Sequence, residues 1–429
     1  MIEYAPPPDK SISIRAVLLA AFAKGRSRIR HCLKCEDTAA AISCIKALGA
    51  SVAEYEDYIE IEGGNIHSPD QPLCCGSSGS VARLLCGLLS GSGIEAVLCG
   101  SSQLSRRPMA RITAPLRLMG ADITGDALPL RIAPGLLHGI EYKMPISSAQ
   151  VKTALLFAGM NASGSTIVKE KYLSRDHGEN ILEQFSVPVE KEYPCGGQGS
   201  DGTYYSVRIA SHALKPCEIT VPGDFSSAAF FIAGAQLSGM AIRINSVGLN
   251  KTRTGMLEAL KRAGAEISAE ICSGEDSETS CEPHGALTFR PAALRPIYVR
   301  ESEIPKLIDE LPALSVIAAS IPGESVFCGI GELRYKETDR IAAIMDIAAK
   351  MGAEAECRGD DLHITGIGKF PAGHRIIDCR GDHRVAMAAA AGSLACHGMA
   401  LKGAACAAKS YPGFFNDFQK IFGKLILME

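Results

Sequence analysis

The sequence contains no run of 18 apolar residues, which argues against a membrane-spanning helix. It also lacks a charge bias. Lys plus Arg number 44 and Asp plus Glu 47, leaving a net −3 and a pI near 6.4, so no general nucleic-acid binder is expected. The opening Met1-Ile-Glu-Tyr-Ala-Pro-Pro-Pro8 lacks the regions of a signal peptide. A soluble, cytoplasmic protein is therefore expected, with neither nucleic acid nor membrane as a partner. No G-x-x-x-x-G-K-[ST] phosphate loop occurs, which disfavours a nucleotide hydrolase. Gly197-Gln-Gly-Ser-Asp-Gly202 matches G-x-G-x-x-G but lies in a polar loop with no strand before it and no helix after it, so it reads as a chance match. Sixteen cysteines are scattered, mostly inside apolar runs, and Cys32-Leu-Lys-Cys35 has no second pair at matching spacing. No metal is expected. The thiols are expected to be unpaired and mostly buried in a reducing compartment.

What is present is length, apolar content and repetition. A chain of 429 residues, 47% hydrophobic, is long enough to fill two cores. Six Ala- and Leu-rich helical runs follow polar turns: Pro8–Ser13, Gly76–Ser80, Ile146–Gln150, Pro222–Ser227, Lys306–Glu310 and Arg380–Arg384. Each run meets a glycine, as a helix end would, and a β-like run and a second helix come next. Four second helices end in a Gly-Ala step, at Gly49, Gly120, Gly264 and Gly352; another copy, Phe185-Ser-Val-Pro-Val189, lacks the glycine. The unit reads helix, strand, helix, strand, strand. The sixth copy is expected to be split across the chain ends, and two domains of three units each follow.

The helix starts carry a recurring chemistry. A helix N-terminus exposes unpaired N–H groups and about half a positive charge. Lys10 and Arg15 flank the first start, with Ser11 and Ser13 as candidate caps. Arg83 follows Gly76-Ser-Ser-Gly79, Arg107 closes a later turn, Ser147, Ser148 and Gln150 open the third helix, and Ser174-Arg-Asp-His177 follows a strand. His383, Arg384 and Lys409 come from the last unit. Basic groups at equivalent places in a slightly acidic protein imply a site for a multiply negative ligand, such as a phosphate with a carboxylate. In Leu333-Arg-Tyr-Lys-Glu-Thr-Asp-Arg340 five of eight residues are charged, against 21% overall. Asp309, Glu310 and Glu337 are candidates for proton transfer beside such an anion. Asp339 is expected to have a structural task, as a helix-start acceptor or an arginine partner, and Asp382 could be a cap.

Assembled in order, these motifs resemble the 5-enolpyruvylshikimate-3-phosphate synthases, a branch of the enolpyruvyl transferase family. The resemblance rests on Asp9–Arg15, Gly76–Arg83, Arg107–Met109, Ser148–Lys152, Gly223–Ser227, Ile308–Pro312, Leu333–Arg340, Asp382–Arg384 and Lys409, and spans essentially the whole chain. It implies an α/β fold of two similar, hinged domains, each of three βαβαββ repeats forming an inside-out α/β barrel. One domain would cover 9–223 and the other 1–8 with 224–429, the hinge lying near 8–9 and 223–224. The implied reaction moves the enolpyruvyl group of phosphoenolpyruvate to the 5-hydroxyl of shikimate 3-phosphate with no metal or organic cofactor. The implied holders of shikimate 3-phosphate are Lys10, Ser11, Arg15, Ser147, Ser148, Gln150, Ser174, Asp309 and Lys336. Those of phosphoenolpyruvate are Lys10, Gly79, Arg107, Gln150, Arg340, Arg384 and Lys409. Asp309, Glu337 and Lys10 would be catalytic, and a monomer is implied.

The chain departs from the family pattern in places. Ser77 stands where many members have asparagine, which bears on glyphosate tolerance. Ala149 replaces a serine of some members, and His177 stands where others have tyrosine. The short segment before Lys10 suggests a clipped first strand. The rival within the family transfers enolpyruvyl to UDP-N-acetylglucosamine, and usually has a cysteine where this chain has Ser101-Ser-Gln-Leu-Ser105. An inactive anion-binding scaffold is the rival outside catalysis, and intact Lys10, Asp309, Glu337 and Lys409 speak against it.

Overall fold

The computed structural model describes the chain except residues 195–203, 273–278, 369, 371–374, 397–398, 424 and 429. The Gly197–Gly202 motif therefore lies outside the described residues. The chain forms two compact units, one of Pro8–Val221 with Gly274–Glu282, the other of Met1–Pro7, Pro222–Ser273 and Pro283–Glu429.

Each unit is built from a βαβαββ repeat. In the repeat that opens with strand Leu73–Cys74, helix Gly79–Leu89 crosses to the parallel strand Ala96–Cys99. Helix Ala110–Leu118 and the hairpin Asp122–Thr124 with Leu130–Ala133 then complete a sheet of spatial order first-second-fourth-third. The sheets containing Gly25–Arg30, Ser165–Glu170, Ile242–Gly248 and Gly323–Phe327 share that order. Parallel neighbours need a crossover, and the crossover is where each apolar helix goes.

The crossover helices are Lys10–Phe22, Gly79–Leu89 and Ala149–Gly159 in one unit, and Phe225–Ser238, Leu311–Ala319 and His383–Ser393 in the other. They are buried around most of their circumference, as their Ala-, Leu- and Ile-rich sequences require. Close approach fixes their residue types. A Cβ on Gly87 would fall 2.2 Å from the Ala154 carbonyl oxygen of the neighbouring helix. Three such helices per unit leave three N-termini per unit for ligand chemistry.

One expectation is corrected here. The sixth copy is not split across the chain ends: its sheet is Arg375–Asp378, Met399–Lys402 and Ile426–Met428, all parallel. The displaced strands belong to the first and fourth repeats. Glu218–Thr220 pairs with Arg28–Arg30, and Ile2–Tyr4 pairs with Ile242–Ile244. The opening strand before Lys10 is thus short, at three residues, yet paired. A three-residue strand carries no periodicity, so its partner is settled by packing.

The Gly-Ala steps place a left-handed residue after the second helix, with φ between 89° and 109° at Gly49, Gly120, Gly264 and Gly352. In the copy without glycine, Ser186 takes the same task at φ 63°. A Cβ in that region costs about 1 kcal/mol. Ser186→Gly should therefore raise stability, and with it the urea midpoint, by at most about 0.6 kcal/mol once an entropic offset of about 0.4–1 kcal/mol is subtracted, with turnover unchanged. A lower midpoint would show that the serine hydroxyl, not the backbone, sets this turn.

A short return of the chain was not legible in the sequence. Thr279–Glu282 packs on the unit of Pro8–Val221, where the Thr220 amide donates to the Thr279 carbonyl at 3.0 Å.

Candidate active site

In the unit carrying Asp309, charged groups alternate in sign across the starts of its three buried helices. Asp224 caps helix Phe225–Ser238, accepting from the Ser226 amide at 3.0 Å, and receives Arg253 Nη2 at 3.1 Å. Arg253 lies 3.8 Å from Glu310, which is fully buried and also accepts from the Ser226 hydroxyl. Arg384 is 3.9 Å from Glu310 and 3.5 Å from Asp309, and donates to the Asp309 carbonyl at 2.9 Å. Buried polar groups cost free energy unless paired, so the alternation is what allows this density of charge.

Arg340 is the hub. Its side chain is 1% exposed. Nε and Nη2 fork onto Asp382 at 2.8 and 3.3 Å, Nη2 donates to Glu337 at 2.5 Å, and Nη1 donates to Asp309 at 3.1 Å. Burial pulls the guanidinium pKa down, but Asp382, Glu337 and Asp309 outweigh it and hold the group above its ordinary value. Lys336 Nζ lies 3.6 Å from Asp309, and Lys409 donates to the Gly381 carbonyl at 2.9 Å. Asp382 is both cap and ion partner: it also accepts from the Arg384 amide at 2.9 Å. Asp339 caps helix Arg340–Lys350 through the Ala342 amide at 3.1 Å and sits 3.6 Å from Arg334, so it performs both of its expected structural tasks.

In the unit of Pro8–Val221 the expected residues collect at three other helix starts. Lys10 opens helix Lys10–Phe22, with Nζ 3.0 Å from Asp37. The cap of this helix is Asp9, which accepts from the Ile12 amide at 2.9 Å, rather than Ser11 or Ser13. Ser13 instead accepts from the Leu33 amide at 3.0 Å, and the Ser11 carbonyl accepts from the buried Arg15 at 2.9 Å. Gly79 opens the second helix. A Cβ there would come 2.8 Å from Arg107 Nη1 and 3.2 Å from Arg83 Nη1, so glycine lets two guanidinium groups approach the helix start.

Arg83 donates to Gln150 Oε1 at 2.6 Å and Gln150 donates to Ser80 at 2.8 Å, which orients the amide. Ser148 is the N-cap residue of Ala149–Gly159 and makes no side-chain capping bond. Ser147 accepts from the Tyr172 amide at 3.0 Å. The Ser174 side chain is buried, and its hydroxyl has no hydrogen-bond partner among the described residues. Ser77 bonds Ser101, hydroxyl to hydroxyl, at 3.0 Å. His177 Nδ1 lies 2.7 Å from Glu282, both buried.

Sequence reasoning missed Asp37, Arg253, Glu282 and the role of Lys152. Only Lys152 left a signal, as a lone cation in the apolar run Val151–Phe157. Among the described residues no group of His, Cys, Asp and Glu has metal-binding geometry, and no helix is long and apolar enough to cross a membrane. The described cysteines are unpaired; Cys74 and Cys272 are exposed, while burial pushes the Cys32 thiol up to about 12.

The architecture defines the class first. The enolpyruvyl transferase NikO from Streptomyces tendae shares it: 98% of this chain and 94% of that one superpose with a TM-score of 0.71, and at 17% identity the likeness is one of fold. Closer comparisons narrow it. A family model described as EPSP synthase (3-phosphoshikimate 1-carboxyvinyltransferase) matches residues 3–418. A 3-phosphoshikimate 1-carboxyvinyltransferase of Shouchella clausii is 40% identical over 424 residues, 97% of this chain and 95% of that protein. The EPSP synthase structure from Acinetobacter baumannii has a TM-score of 0.81 at 34% identity, covering 99% and 96% of the two chains. The chain belongs to the EPSP synthase family.

Proposed function

We propose that this chain transfers the enolpyruvyl group of phosphoenolpyruvate to the 5-hydroxyl of shikimate 3-phosphate and releases phosphate, a step of aromatic amino-acid biosynthesis. The observation that carries the reading is the family match over residues 3–418. The proton-transfer candidates Asp309 and Glu337 around one buried arginine support it. Both substrates carry a phosphate and a carboxylate, and the clustered helix starts suit such anions.

Each proton has a proposed carrier. Asp309 accepts the proton of the 5-hydroxyl as its oxygen bonds to C2 of phosphoenolpyruvate. Glu337 delivers a proton to the methylene carbon, giving a tetrahedral intermediate. Phosphate then leaves with a proton from Lys10, Glu337 recovers the methyl proton as the double bond reforms, and the proton held by Asp309 is given up to solvent while Lys10 is reprotonated from it. Ser11, Arg15, Ser147, Ser148, Gln150, Ser174 and Lys336 hold shikimate 3-phosphate. Gly79, Arg107, Arg340, Arg384 and Lys409 hold phosphoenolpyruvate, with Lys10 and Gln150 serving both substrates. Arg340 trades part of its contact with Glu337 and Asp309 for the incoming carboxylate. The proposal includes a hinge near 8–9 and 223–224. A cytoplasmic monomer is part of the same proposal.

The purified protein should release phosphate only with both shikimate 3-phosphate and phosphoenolpyruvate present. Phosphate release with UDP-N-acetylglucosamine in place of shikimate 3-phosphate would overturn the reading.

A further inference from the structure

Lys152 is buried completely, on the first turn of the helix that begins at Ala149. Its ammonium has three donors, and three acceptors meet them: Glu170 Oε1 at 2.8 Å, Glu179 Oε1 at 2.7 Å and the Ser174 carbonyl at 3.3 Å. The same Glu170 oxygen accepts the Ser174 amide at 3.0 Å. Both backbone groups of Ser174 are thus tied to one buried ionic cluster, while its hydroxyl is buried without a partner among the described residues. Burial pulls the Lys152 pKa down, but Glu170 and Glu179 outweigh it and keep the group charged. Burial also pushes the Glu179 carboxyl up. The cluster joins two segments remote in sequence. The helix start presents Ser148 and Gln150, and the turn after strand Ser165–Glu170 presents Ser174.

We propose that Lys152 is a positioning residue for shikimate 3-phosphate: it locks the Ser174 turn to the helix start bearing Ser148 and Gln150, so that the three side chains meet the substrate already arranged. The inference rests on the reading of those three residues as shikimate-phosphate groups. A buried cation is suited to this because removing it leaves two buried carboxylates without a counter-charge, and the turn cannot drift without breaking charge-assisted bonds. Arrangement before binding spares the ordering cost otherwise subtracted from affinity.

Three variants test it in the full-length enzyme. Lys152→Met should raise the KM for shikimate 3-phosphate at least tenfold, with kcat and the KM for phosphoenolpyruvate each within about threefold. Lys152→Met/Glu179→Gln, which does not strand two carboxylates, should show the same split if the single variant folds poorly. Ser174→Ala is the control. If Ser174→Ala weakens shikimate 3-phosphate binding and the Lys152 variants do not, the positioning role is overturned while the substrate reading stands. If Ser174→Ala has no effect on that binding, the substrate reading of the turn itself fails. Equal rises in both KM values would reduce Lys152 to a general structural part and also overturn the proposal. In the ligand-free wild-type enzyme, the Ser174 amide should exchange hydrogen as slowly as strand Ser165–Glu170; rapid exchange would show that the turn is not held in advance.

Discussion

Arg340→Met should abolish measurable enolpyruvyl transfer and lower the stability of its unit by about 3–5 kcal/mol, the usual range for removing one partner of a buried ion pair. The effect is large because Asp382 is fully buried and forks onto Arg340, while Glu337 and Asp309 lose the same cation. Methionine fills much of the space, so the loss is one of charge and direction rather than volume. The pH dependence has a definite sign. In the wild-type protein the guanidinium pKa is raised. Its stabilising contribution is therefore complete at every pH below the ordinary arginine value, and flat across neutrality. In the variant Asp382 keeps the Arg384 amide but has lost its buried counter-charge, which favours protonation in the folded state, so stability should recover as pH falls from 7 towards 5. Urea titrations at the two pH values measure this. A variant as stable as wild type at pH 7 would remove Arg340 from its place as hub.

Glu337→Gln should lower kcat about a thousandfold, roughly 4 kcal/mol of transition-state stabilisation, and change the dissociation constant of shikimate 3-phosphate less than about threefold. The amide keeps a carbonyl oxygen for Arg340 Nη2, now 2.5 Å from Glu337 Oε2, so the turn should persist. What the amide cannot do is give and take back a proton at the methylene carbon. Single-turnover rates together with equilibrium binding separate the two effects. A kcat within tenfold of wild type would take Glu337 out of the proton chemistry and leave it an ion partner of Arg340.

The charged turn ending at Arg340 shows how far local reading reaches. Glu337 and Arg340 are three residues apart, with Glu337 in the bend just before helix Arg340–Lys350, so their contact is a short-range one. The Asp339 cap follows from the same short-range rules. The Asp382 fork does not, because it joins residues 42 apart in sequence. Lys152 stood out as a lone cation in an apolar run, yet Glu179 and the Ser174 carbonyl as its partners could not be named from that run. Glu282 gave no signal, since it reaches His177 from 105 residues away.

The sequence by itself determined the repeat, the buried character of the crossover helices and the chemical types waiting at their starts. These depend on periodicity, capping and side-chain charge, all settled between near neighbours. Tertiary structure alone decided which strand completes the first and fourth sheets, which carboxylates share Arg340, and which buried cation holds Ser174. Those pairings depend on which helix ends packing brings together, and once water is excluded each buried charge must take whatever opposite charge the fold has placed within reach.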